Sequence, residues 1–216
     1  MSTIKNLKIT FVRHGTTEYN LQDRVQGSID IPLSKKGLDD INIVKLKHNY
    51  EAFYHSPLTR SKDTLLGILL NHDLLNDDSP IKENAYITER SYGIFEGLTK
   101  KEIQEKYPDL YNEWMINENV QHESIETVEN VVKRIETFIS IMISYSHNNI
   151  LAVTHSGFLY ALYKFVTDQP LYLKPHEIDI SFPNCCVVEL EVNVLYHHIE
   201  FHLKIQDKVF YKKVSH

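Results

Sequence analysis

Residues 11–18 read FVRHGTTE. The stretch closes an apolar run, LKITFV (7–12), and at once sets an arginine, a histidine and a glycine side by side. A short apolar run bounded in this way reads as a buried strand. The pattern returns in ILAVTH (150–155), which again ends on a histidine, and in AFYHS (52–56). Helical spacing fills the intervals. KGLDDINIVKLKHNY (36–50) places Leu38, Ile41, Val44 and Leu46 along one stripe, and TRSKDTLLGILLNH (59–72) reads as a helix. So do VENVVKRIETFISIMISY (128–145), with Thr127 placed to cap it, and GFLYALYKFV (157–166). CCVVELEV (185–192) and HIEFHLKI (198–205) read as further strands. Strands alternating with helices predict an α/β fold, a largely parallel central sheet flanked by helices on both faces. The stretch 89–124 is polar and irregular and reads as a lid insertion. With no internal repeat or linker, 1–216 reads as a single domain.

The composition narrows the function. The chain has 216 residues, 42% of them hydrophobic, which is enough to bury a full core. Its formal charge of −6 and the lack of a Lys/Arg-rich block argue against nucleic-acid binding. The start, MSTIKNLKIT, has no apolar core of a secretory signal, and FISIMISY (138–145) is too short to span a bilayer. Cys185 and Cys186 are adjacent and lack metal-ligand spacing, which suits free thiols in a reducing, cytoplasmic setting. His198, Glu200 and His202 share one strand face and read as a solvated sheet edge rather than a metal site.

Ligands of open α/β sheets bind beyond the carboxyl ends of the strands. Arg13 and His14 follow one strand, His155 follows another, and HSPLTR (55–60) carries Arg60 to the same edge. Two guanidiniums match the oxygens of a phosphoryl group. A histidine held in one tautomer can attack phosphorus, and a second can donate to an equatorial oxygen. Release of an alcohol needs an acid, and ITERSYGIFEG (87–97) supplies Glu89 at the end of what reads as a strand.

These residues sit in blocks that resemble the histidine phosphatase superfamily, phosphoglycerate-mutase-like branch. RHGTTEYN (13–20), DRVQGSIDIPLSKKG (23–37), SPLTRSKDT (56–64), ERSYGIFEG (89–97), ESIETVENVVKR (123–134), AVTHSG (152–157) and PNCCVVEL (183–190) follow one another in the family's order. The resemblance implies that His14 becomes the phosphohistidine, that Arg13, Arg60 and His155 hold the phosphoryl group, and that Glu89 is the proton donor. It further implies that Thr17, Asn20, Gln26, Gly27 and Ser156 line the substrate pocket and that Tyr92 and Lys100 reach the rest of the substrate. No metal and no cofactor are implied. The partner is a small phosphorylated metabolite, with no nucleic acid or membrane, and a homodimer is admitted.

The second-histidine block departs from the family pattern: it reads HSGFLYAL, with Ser156 where a glycine is usual and no arginine following. Hydrolysis of a phosphomonoester is the expected activity. DRVQG resembles the phosphatase type, and the 66 positions from Glu89 to His155 fall short of the insertion in glycolytic mutases. A cofactor-dependent phosphoglycerate mutase is the alternative, favoured by ERSYG with Tyr92 and Lys100. A non-catalytic phospho-ligand-binding module is the third reading.

Overall fold

A computed structural model describes residues 4–47, 49–75 and 80–215. Seven strands form one sheet: β1 (Lys5–Arg13), β2 (Ala52–His55), β3 (Ile81–Glu83), β4 (Asn149–Thr154), β5 (Val187–Val194), β6 (His198–Ile205) and β7 (Lys208–Ser215), in the spatial order β3-β2-β4-β1-β5-β6-β7. The helices are α1 (Glu18–Leu21), α2 (Lys35–Asp40), α3 (Thr59–Asn71), α4 (Lys100–Lys106), α5 (Pro108–Ile116), α6 (Val128–Ser144) and α7 (Ser156–Thr167). The four strands β3, β2, β4 and β1 run parallel. Strands β5, β6 and β7 extend that core as an antiparallel meander.

The parallel strands are apolar on both faces, as a sheet covered on both sides requires. Leu7, Ile9 and Phe11 of β1 join Ile150 and Ala152 of β4 beneath α6 and α7. Val12, Leu151, Val153 and Phe53 face the other way and pack with Leu65, Ile68 and Leu69 of α3. In the meander only one face is apolar: Val188, Leu190, Val192, Phe201, Leu203 and Ile205 continue the first layer. Helix α6 buries Val128, Val131, Ile135, Phe138, Ile139 and Met142 at three- and four-residue spacing. Thr127 caps it by accepting from the Asn130 amide. Phe138 stacks near Phe11 and Tyr54, with ring centroids 6.1 and 6.0 Å away, so emptying this position would cost about 3–5 kcal/mol.

Four expectations change. The helix expected over 36–50 stops at Asp40, followed by a 3-10 turn at Ile41–Ile43 and extended chain; His48 lies outside the described residues. The region 89–124 is not irregular. Helices α4 and α5 fold over a small core of Phe95, Ile103, Trp114, Val120 and Ile125. Glu89 follows a 3-10 turn at Ala85–Ile87, not a strand. Strand β6 is not an edge, because β7 lies outside it; His198 is buried and pairs with Glu200 at 2.8 Å.

Candidate active site

The parallel pairing of β1 with β4 brings two distant histidines together. Arg13 lies opposite Thr154, and the His14 amide donates to the Thr154 carbonyl at 3.0 Å. His14 and His155 therefore leave adjacent strands side by side, with ring centroids 5.0 Å apart. His14 Nδ1 lies 2.7 Å from the Gly15 carbonyl. A carbonyl only accepts, so Nδ1 carries the proton and Nε2 keeps its lone pair. The Gly15 amide donates to Thr64 Oγ1 at 2.9 Å, which ties the turn to α3. Gly15 is needed there: a Cβ would stand 2.7 Å from the Gly37 carbonyl oxygen.

The two arginines are held from opposite sides. Arg60, fully buried near the start of α3, donates through its terminal nitrogens to the carbonyls of Ile29 (2.7 Å) and Gly27 (2.8 Å). Gly27 takes a left-handed φ of 52° to present that carbonyl. Arg13 donates to the Phe182 carbonyl at 2.5 Å. Its backbone is clamped by the Cys185 amide and the Cys186 carbonyl, at 3.0 and 3.1 Å. His155 lies 2.6 Å, through Nε2, from Ser56 Oγ. Glu89, also buried, accepts from the amides of Arg90 (2.8 Å) and Gly157 (3.3 Å), at the N-terminal end of α7.

Burial and the charges of Arg13 and Arg60 hold the His14 imidazole well below the ordinary histidine range. His155 is lowered in the same way, by burial first and then by His14, Arg60 and Arg13. Both rings are neutral near pH 7. Burial also lowers the two guanidiniums, opposed by Glu89 and in neither case enough to discharge an arginine.

Five buried polar side-chain atoms among the described residues carry no hydrogen-bond partner, and three of them are Arg13 Nε, Arg60 Nε and His155 Nδ1. A buried donor without a partner costs about 1–3 kcal/mol, and these atoms belong to the side chains that act electrostatically on the His14 ring or touch it, an arrangement suited to acceptor oxygens.

The remaining expected residues divide. Thr17, fully buried, caps α1 and donates to Gln26 Oε1 at 2.8 Å, while Asn20 Oδ1 accepts from the Thr17 amide at 3.1 Å. Asn184, which the sequence reading left without a role, bridges this group to the site by donating to the His14 carbonyl (2.9 Å) and to Asn20 Oδ1 (3.2 Å). Ser156 opens α7, half-buried beside His155. Among the described residues no contact joins Tyr92 or Lys100 to the histidines. Tyr92 packs edge-on to Trp114 in the lid core beneath the Arg90 guanidinium, and burial pushes its phenol up. Lys100 is exposed at the start of α4.

Arg90 is buried, and each of its three nitrogens donates inside the protein. It donates to the Glu126 carbonyl (2.6 Å), to Glu118 Oε1 (2.6 Å) and to the Glu118 carbonyl (2.8 Å). Glu118 Oε2 in turn meets Lys174 at 3.2 Å, and Lys174 lies over the Trp114 ring. Among the described residues no group of three His, Cys, Asp or Glu is arranged to hold a metal ion, and no helix is long and apolar enough to cross a membrane.

Comparison with known proteins shows the family and the fold. Residues 9–200 match the family model of the histidine phosphatase superfamily (branch 1). Putative phosphoserine phosphatase 2 of Hydrogenobacter thermophilus is 29% identical over 165 residues, 74% of this chain and 78% of its own length. The 2,3-bisphosphoglycerate-dependent phosphoglycerate mutase 2 of Lactiplantibacillus plantarum is 36% identical over 107 residues, 47% of this chain and 46% of its own length. The solved structure of Bacillus stearothermophilus YhfR shares the fold, with a TM-score of 0.74 over 93% of this chain and 96% of that one at 24% identity.

Proposed function

Because the chain belongs to the histidine phosphatase superfamily (branch 1), we propose that it hydrolyses a small phosphomonoester through a phosphorylated His14. The observation that carries the reading is the set of three unpartnered donors, Arg13 Nε, Arg60 Nε and His155 Nδ1, beside a His14 ring whose Nε2 is free to attack. The Nε2 lone pair forms the P–N bond as the ester P–O bond breaks. The leaving oxygen takes that electron pair and a proton from Glu89. Water then attacks the phosphohistidine, the P–N electrons return to Nε2, and the Glu89 carboxylate accepts the water proton. The developing charge is met by Arg13, Arg60 and His155, so the reaction proceeds without a metal. Thr17, Asn20, Gln26, Gly27 and Ser156 shape the pocket walls.

Hydrolysis is favoured over transfer between two hydroxyls by the state of Arg90. A mutase reading needs cations beyond the first phosphate site for a second acidic group. Arg90 is buried, and each of its nitrogens donates to Glu118 or Glu126 instead. The likeness to a phosphoserine phosphatase supports a substrate of small-metabolite size. Two free cysteines, one buried and one half-buried, suit a reducing cytoplasm.

The test is a quench experiment. Protein mixed with a ³²P-labelled monoester and stopped in alkali should retain label that acid then removes, as phosphohistidine does. His14→Ala should retain none and should lose several orders of magnitude in turnover. Undiminished turnover in this variant, or dependence of the wild-type rate on an added divalent ion after chelation, would overturn the reading.

A further inference from the structure

Ser56 is a group the reaction scheme leaves unused. It follows β2, is fully buried, and lies beside His155 because β2 pairs in parallel with β4, His55 opposite Val153. Its backbone is fixed: the amide meets Ser61 Oγ at 3.0 Å, and Ser61 Oγ donates to the Val153 carbonyl at 2.8 Å. Its hydroxyl has two neighbours among the described residues. The Leu58 amide donates to it weakly at 3.4 Å, and His155 Nε2 stands 2.6 Å away. An amide can only donate. The one acceptor in reach of the Ser56 proton is therefore His155 Nε2, and a nitrogen that accepts carries no proton of its own.

From this we infer that Ser56 is a positioning residue that fixes His155 in the Nδ1–H tautomer, so that the ring presents a donor to the phosphoryl oxygens. The opposite assignment fails on both sides of the ring. With the proton on Nε2, the buried Ser56 hydroxyl proton would have no acceptor. The unpartnered Nδ1 would then show a lone pair to the oxygens it is meant to bind. With the proton on Nδ1, the serine hydroxyl is satisfied and the remaining donor is the one a phosphoryl oxygen completes. The inference rests on the phosphoryl-transfer reading of the site. It adds the statement of which nitrogen of His155 does the binding and what decides it.

The experiment reads the tautomer directly. In ¹⁵N-histidine-labelled wild-type protein, long-range ¹H–¹⁵N spectra, assigned with a His155→Asn variant, should show a protonated Nδ1 and an unprotonated Nε2 at neutral pH. Ser56→Ala should blur or reverse that signature and lower kcat about tenfold, the worth of one hydrogen bond to a buried ring. Ser56→Thr, which restores the hydroxyl, should recover both. A purely structural serine would lower thermal stability in the alanine variant and leave the tautomer alone. A wild-type His155 protonated on Nε2 overturns the inference without any variant. So does Ser56→Ala with wild-type tautomer and kcat. The phosphoryl-transfer reading fails separately, through an active His155→Asn enzyme or an unlabelled His14.

Discussion

Gly157→Ala isolates the proposed proton donor, Glu89, from the rest of the site. Gly157 is the second residue of α7, and its amide donates to Glu89. An added Cβ would stand 2.5 Å from Glu89 Oε1, 3.2 Å from Arg90 Cβ and 3.3 Å from Glu89 Cδ. Ordinary contact begins at 3.4 Å, so Oε1 must retreat by roughly 0.9 Å. Oε1 is the atom that accepts from the Arg90 amide at 2.8 Å, and a retreat of that size breaks the bond. Leaving the buried Arg90 amide without this bond costs about 1–3 kcal/mol, partly offset by the roughly 0.5–1 kcal/mol that alanine gains over glycine in a helix. Folding stability should therefore fall by no more than about 2.5 kcal/mol. Catalysis should suffer far more, because a misplacement of about 1 Å costs on the order of 100-fold. The loss should be concentrated in alkyl phosphates, whose leaving oxygen needs the proton, and nearly absent for activated aryl phosphates. Steady-state kinetics on one substrate of each kind, with Glu89→Gln as the reference for a lost donor, decide it. Equal losses on both substrates, or none on the alkyl ester, would refute the placement of Glu89 as the acid.

Two more perturbations test the charges. Glu118→Ala leaves Arg90 and Lys174 buried without their carboxylate, so chemical denaturation should report a loss of roughly 3–5 kcal/mol. The histidines predict a pH dependence of stability. Their folded-state pKa values lie below the unfolded value, so the unfolded chain binds protons first as pH falls beneath 6.5. The stabilisation from keeping them neutral is present above 6.5 and is lost as pH falls toward the folded values. The slope is about 1.4 kcal/mol per pH unit for each ring. Urea midpoints at pH 6.5 and 5.5 should show that slope reduced by about one ring's share in His155→Asn; an unchanged slope would mean that the ring is already protonated when folded.

The strands that carry the site were legible because each is a short apolar run ended by polar chemistry, and parallel strands are buried on both faces. The residues that meet at the site follow from that: Arg13 and His14 after β1, Arg60 after β2, His155 after β4. The truncation of α2 was not legible from spacing alone. Ile41 and Val44 of the stripe are buried and only Leu38, 56% exposed, faces away, so the apolar positions reach the core although the helix ends between them. Asn42 and the β-branched Ile41, Ile43 and Val44 favour leaving the helix. The lid concealed its core for another reason. Helices of seven and nine residues supply one buried residue each, Ile103 and Trp114, too few to form a period. Strand β7, KVFYKKVS, carries three lysines and looks like a solvated tail; the lysines suit an outermost strand, where charge discourages further pairing. Arg90 follows Glu89 in sequence, and nothing local shows what it pairs with. Its side chain reaches Glu118, 28 positions away, a pairing no local window contains.

The two histidines show why residue type alone does not specify a role. On the hydrogen bonds they make, both carry their proton on Nδ1, yet they take opposite parts. In His14 the protonated nitrogen is spent on the Gly15 carbonyl, and the bare Nε2 is what the proposed substrate would meet. In His155 the bare Nε2 is spent on the Ser56 hydroxyl, and the protonated nitrogen is what remains. The sorting is done by neighbours: a carbonyl that can only accept, and a hydroxyl whose other partner can only donate. Arg13 and Arg60 complete it, since their charge penalises a second proton on either ring. On the proposed reading, the guanidiniums that would hold a phosphoryl dianion thus also keep the His14 nucleophile unprotonated. Replacing Arg60 with an uncharged residue should therefore weaken phosphate binding and raise the His14 pKa together. A kcat/KM–pH profile whose acid limb shifts upward in Arg60→Gln would show the second effect apart from the first; an acid limb that stays in place would mean that burial alone keeps His14 neutral.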